Sequence, residues 1–120
     1  MTPVDALLVA LGAAVGAPLR YVTNHWVREH LGGTPVAGTL VVNVVGSFVL
    51  GAVVGAGVGS APLALVGIGF CGALTTFSTL ALEIWDAMSD DRYPHAVANV
   101  TLSLALGIGA AWLGWALTSG

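Results

Sequence analysis

Apolar runs and short polar breaks alternate along this 120-residue chain so that four long hydrophobic stretches stand out. They cover about Val4 to Thr23, Val36 to Gly57, Pro62 to Ile84 and Ala96 to Leu117. Each reaches the ~20 residues that a helix needs to cross a bilayer core. The pattern predicts an all-α membrane protein, one domain of four transmembrane helices in the lipid bilayer. The breaks read as a polar loop from Asn24 to Pro35 with Gly32-Gly33 inside it, a tight turn from Gly57 to Pro62, and an acidic connection from Ser89 to Pro94. Four spans place both termini on one side. Met1 to Asp5 carries no basic side chain, so the first run is expected to stay as a span rather than be cleaved as a signal peptide.

The third run departs from this apolar pattern. Gly69-Phe70-Cys71-Gly72-Ala73-Leu74-Thr75-Thr76-Phe77-Ser78-Thr79 sets two glycines and four hydroxyls at membrane depth. A polar group removed from water needs an internal partner, and irregular backbone is tolerated there only when buried in protein or lining a watery path. The segment therefore points to an ion or small-solute pathway. Its hydroxyls can bond back to carbonyls one turn earlier, which bends or breaks a helix. Gly12 and Gly16, Gly51 and Gly55, and Gly55 and Gly59 recur at a spacing of four, a pattern that lets helix backbones approach closely in lipid. Four short spans enclose little volume, so a pathway is expected between subunits or along a dimer edge. Trp26, Trp85, Trp112 and Trp115 fall near span ends, where indole rings favour the interface.

Composition narrows the function. The chain is 57% hydrophobic and 8% charged, against roughly 25% charged residues in a soluble domain. It has no lysine, and its arginines are Arg20, Arg28 and Arg92, which excludes nucleic-acid binding. These arginines lie at or beside the first and third connections, placing them in the cytoplasm by the positive-inside rule. Three charges are a weak bias, compatible with insertion in either sense. Cys71 is single, so no internal disulfide forms, and it reads as a small buried thiol. His25, His30 and His95 do not form a metal-ligand set; they read as surface histidines. No nucleophile–base pair or phosphate loop is present, so the chain is not expected to be an enzyme. A four-span proton-coupled antiporter would need a carboxylate deep in the membrane. Asp5 and Glu83 lie near span ends, which argues against that class.

Three blocks carry a family resemblance: Gly16-Ala17-Pro18-Leu19-Arg20-Tyr21, Gly38-Thr39-Leu40-Val41-Val42-Asn43-Val44-Val45-Gly46-Ser47-Phe48, and Gly69 to Thr79. In this order and spacing the chain closely resembles the CrcB/Fluc family of fluoride channels. The resemblance implies a plasma-membrane protein that passively exports cytoplasmic fluoride and relieves its toxicity. It implies an antiparallel, dual-topology dimer with two fluoride pores and a third helix broken at its middle. It further implies a structural Na+ ion at the dimer centre, held by the backbone carbonyls of Gly72 and Thr75. The pore asparagine of the family falls on Asn43 and its first pore phenylalanine on Phe77. The second phenylalanine is replaced by Leu80. Asn99 and Ser103 take positions of polar pore-lining groups, and Gly107 supplies no hydroxyl at the next turn. Some members pair with a second gene product, so the alternative is a partner subunit, non-conducting or half-functional, of a heterodimeric channel.

Fluoride is small and strongly hydrated, and a pore must replace its water with donors that still release it. Asn43 offers two N–H donors without a full charge, or else bonds a neighbouring helix. An aromatic ring presents a positive edge to an anion, which suits Phe77; Leu80 has no such edge. Thr39 and Ser47 stand four residues either side of Asn43 on one face and extend a polar track or bond between helices. Asn99 and Ser103 likewise share a face. Arg20 is expected to snorkel to water, to pair with Glu83, or to draw anions to a pore vestibule that Glu83 also borders.

Overall fold

The computed structural model describes residues 2–30 and 35–120, and Gly32-Gly33 of the first connection lie outside the described residues. Four helices among these residues are long and apolar enough to cross a membrane, and no strand occurs among them. The first, α1 (Pro3–His30), spans about 42 Å at 1.5 Å per residue. It continues past Thr23, so the predicted loop over Asn24 to His30 is helical instead. Hydropathy falls there, but pairs four residues apart hold the helix. Nε2 of His25 lies 3.3 Å from Oε1 of Glu29, and the rings of Trp26 and His30 stack at 5.1 Å. On the opposite face Val27 is buried. Pro18 sits inside α1 without ending it, although it removes one helical donor.

α2 (Pro35–Gly55) is followed by a turn in which Gly57 adopts φ +65°, a left-handed conformation that glycine takes without steric penalty. The third span starts with α3 (residues 60–74), an element that is mostly not α-helical. After a short α turn at Ser60–Pro62 it runs in π geometry over Leu63–Cys71 and closes with an α turn at Gly72–Leu74. Bonding from i to i+5 brings residues five apart towards one face, and the buried Ala64 and Gly69 have that spacing. Helical geometry lapses at Thr75 and Thr76, both extended, before α4 (Phe77–Ser89). A tight turn through Asp91, with φ 56°, then leads to α5 (Tyr93–Ser119) with a proline in its first turn.

α1 packs along α3 and α2 along α5, the two most extensive contacts in the chain. Glycine makes both possible, because the backbones touch. A Cβ at Gly12 would strike the Leu65 carbonyl oxygen and lie 2.7 Å from the Phe70 nitrogen; one at Gly69 would lie 2.5 Å from the Val9 carbonyl oxygen. On the other side, a Cβ at Gly51 would strike the Ala111 carbonyl, and one at Gly114 the Phe48 carbonyl. Gly59 does not extend the stripe of Gly51 and Gly55, since nothing lies within 4 Å of its Cβ position. It belongs to the turn. The outer faces keep large apolar side chains exposed, including Leu7, Ile108 and Trp112, as lipid or a second subunit would require. Gly51→Ala is expected to destabilise the fold by about 1–3 kcal/mol through overpacking. Gly109→Ala, where a Cβ meets nothing within 4 Å, is expected to be neutral or to stabilise by up to about 1 kcal/mol, since alanine is the better helix former. Thermal unfolding of the two variants in one detergent checks the difference.

Candidate functional site

The lapse at Thr75 and Thr76 removes backbone groups from the helical ladder, and each must find a partner. Asn43 of α2 supplies two of them. Its Oδ1 accepts from the Thr76 N–H at 2.8 Å, and its Nδ2 donates to the Thr76 carbonyl at 3.2 Å. One side-chain amide thus pairs with both backbone groups of Thr76, as the peptide of a neighbouring strand would. Thr76 also starts α4 as its N-cap: its hydroxyl oxygen accepts from the Thr79 N–H at 3.2 Å and donates to the Thr79 hydroxyl at 3.1 Å. Such a cap contributes about 1 kcal/mol. The Thr75 hydroxyl bonds back to the Cys71 carbonyl at 2.9 Å. Arg20 of α1 reaches in from the other side, with a guanidinium nitrogen 3.5 Å from the Thr75 carbonyl oxygen.

The same rearrangement takes two carbonyls off the helical ladder, that of Thr75 accepting from Arg20 instead. In a continuous helix the Thr76 N–H would serve Gly72 and the Thr79 N–H would serve Thr75. Both donors are turned elsewhere. Gly72 is exposed, and a Cβ on it would meet nothing within 4 Å. Neutral carbonyl oxygens suit a hard cation, which takes about six such ligands. The donor chemistry fits a sodium ion in kind at the Gly72 oxygen, whereas the Thr75 oxygen is shared with the Arg20 guanidinium.

A second polar line joins α2, α4 and α5. The Thr39 hydroxyl donates to Oε2 of Glu83 at 2.7 Å, Nδ2 of Asn99 lies 3.5 Å from Oε1 of Glu83, and the Ser103 hydroxyl donates to Oδ1 of Asn99 at 3.2 Å. Thr39 and Asn99 are buried. The expected Arg20–Glu83 pair does not form, because Arg20 is drawn to the Thr75 carbonyl and Glu83 to Thr39 and Asn99. No ion pair involves Glu83 among the described residues.

Between these two features lies an open cavity of about 680 Å³. Asn43, Gly72, Thr75, Phe77 and Ser103 all border it, as does Ser47. Leu80, Ile84 and Leu104 give it an apolar wall, and Gly107 leaves that end without a hydroxyl. Phe77 is 82% exposed, so its ring stands free at the cavity edge. Thr39, Asn99, Glu83 and Arg20 are not among the lining residues; they hold the walls or reach the break from outside.

Comparison with known proteins decides the family. The family model described as CrcB-like protein, Camphor Resistance (CrcB), matches residues 7–115. The chain belongs to the CrcB family. Among similar curated proteins, "Fluoride-specific ion channel FluC 2" of Rhodococcus jostii (strain RHA1) is 47% identical over 94% of this chain and 97% of its own length. "Fluoride-specific ion channel FluC 1" of Nocardia farcinica (strain IFM 10152) is 42% identical over 97% of this chain and 82% of its own. A third, "Fluoride-specific ion channel FluC 1" of Geobacillus kaustophilus (strain HTA426), is 40% identical over 91% of this chain and 93% of its own.

For this CrcB chain, the sequence singles out both the Gly69–Thr79 stretch and Asn43, but not the bonds between Asn43 and Thr76. Sequence reasoning did not foresee that Thr76 would be the N-cap, though a threonine directly before an apolar helical run is a recognisable start signal. Nor did it foresee the Thr39–Glu83 bond, which joins residues 44 apart in the chain. Asn43→Ala is expected to leave the Thr76 N–H and carbonyl without partners at a cost of about 2 kcal/mol. Amide hydrogen exchange in detergent checks this: Thr76 should exchange at least tenfold faster, with Thr75, bonded to the Cys71 carbonyl at 3.0 Å, much less affected.

Proposed function

We propose that this chain is the subunit of a fluoride-selective passive channel that lets fluoride leave the cell across the plasma membrane. The observation that carries the reading is the cavity at the break, bordered by the Asn43 amide and the Phe77 ring, in a chain 40–47% identical to proteins named as fluoride-specific channels. The side chains that line it are uncharged, and a pore needs partners that replace water yet let the ion go. Nδ2 of Asn43 carries two hydrogens. One is held by the Thr76 carbonyl, and the other is left for an anion. The Phe77 ring can turn its positive edge to the same ion. HF that enters from an acidic medium dissociates inside, and the membrane potential then drives the trapped fluoride out without a coupled ion.

The chain works in this reading as a dimer of two oppositely inserted copies. The cavity opens to the outside of a single subunit, and the exposed apolar faces need covering. The break in the third span faces the partner, and the Gly72 and Thr75 carbonyls of both copies together hold one sodium ion. That ion would supply a fixed positive charge and a link between the subunits. Leu80 replaces one aromatic wall of the pathway without adding a charge or closing it.

The reading is tested by reconstituting the purified chain into potassium fluoride-loaded liposomes and following valinomycin-triggered efflux with a fluoride electrode. Fast fluoride loss without chloride loss is expected. No efflux from folded protein would refute self-sufficient conduction. Phe77→Ile is expected to slow fluoride efflux at least tenfold while thermal unfolding stays within a few degrees of the parent, because the ring is exposed and supports little packing.

A further inference from the structure

The line from Thr39 to Ser103 has a fixed direction. A carboxylate accepts hydrogen bonds and donates none, so an ionised Glu83 requires both neighbours to donate to it. Thr39 does so with its hydroxyl, and Asn99 must present its NH2. The Asn99 amide then turns its oxygen to Ser103, and Ser103 must spend its one hydroxyl hydrogen there. Ser103 borders the cavity, yet with that hydrogen engaged it offers the cavity only lone pairs, which repel an anion.

We propose that Glu83, acting through the Asn99 amide, sets the donor direction of the Ser103 hydroxyl and so sets how tightly the cavity holds fluoride. With Glu83 ionised, Ser103 withholds its hydrogen and the ion is released readily. With residue 83 uncharged and able to donate, the Asn99 amide can reverse, Ser103 accepts from Asn99, and its O–H turns to the cavity. Glu83 is thus a positioning residue, and it does not touch the ion. The inference rests on the fluoride-channel reading for its consequence, but the hydrogen-bond relay itself does not.

The test compares Glu83→Gln and Asn99→Ala, each with and without Ser103→Ala, in the liposome efflux assay. Both single changes should lower the half-saturating fluoride concentration about tenfold, the size of one hydrogen bond to a charged group. Both effects should shrink below twofold on the Ser103→Ala background. A Glu83→Gln effect that persists without Ser103, or an Asn99→Ala variant that leaves the concentration unchanged, would overturn the relay in favour of direct charge repulsion. A second measurement does not depend on conduction. The side-chain NH2 proton resonances of Asn99 in detergent should move upfield in Glu83→Gln, because the bond to a carboxylate is lost. If they do not move, the relay is wrong even if the protein conducts. If they move but the unmodified protein carries no fluoride, the relay stands and the channel reading fails.

Discussion

The pairing of the Asn43 amide with both backbone groups of Thr76 is the contact on which the rest of this structure depends. Within a bilayer a helix can be interrupted only if every displaced N–H and C=O finds a partner inside the protein. Thr75 and Thr76 are extended in the middle of the third span. A primary amide is the one neutral side chain that donates and accepts side by side in a single plane, so it can stand in for a neighbouring strand. The Thr76 cap then restarts the chain as α4. Without that brace the segment would gain by closing into a continuous helix, and the Gly72 and Thr75 carbonyls would return to the ladder.

The surrounding fold serves the same end. Glycine contacts draw α1 against α3 and α2 against α5 until backbones touch. This leaves room for the cavity on the side of α3 that faces away from α1. The π winding over Leu63–Cys71 turns Gly69 to α1 while Gly67 and Cys71 face α2 and the cavity. The Asn43–Thr76 pair fixes one wall of the cavity, and the line from Thr39 through Glu83 and Asn99 to Ser103 fixes another.

Much of this was written in local sequence. The four spans follow from hydropathy alone, and glycine spacing marked close-packing faces on the first two, though not the helices they meet. The hydroxyl-rich stretch marked the segment that leaves helical geometry. What escaped the sequence was non-local or polar in character. Residues Asn24 to His30 look like a loop because helices that leave the membrane lose their hydropathy signal, yet i,i+4 pairs keep them wound. The π geometry has no compositional mark. Glu83 and Arg20 carry opposite charges near span ends, so pairing stood beside snorkelling and a vestibule role as an open alternative. Each instead answers to a backbone or side-chain group whose position depends on the tertiary fold. Asn43 was read both as pore lining and as a bond between helices, and its two N–H groups leave room for both.

The double role of Asn43 is tested most directly by the fluoride and chloride efflux of Asn43→Ala in liposomes, measured at a temperature where the variant stays folded. If the amide both braces the break and faces the ion, fluoride efflux should fall by at least tenfold in protein that still reconstitutes as a folded assembly. Fluoride efflux at the parent rate, with the parent's discrimination against chloride, would contradict it.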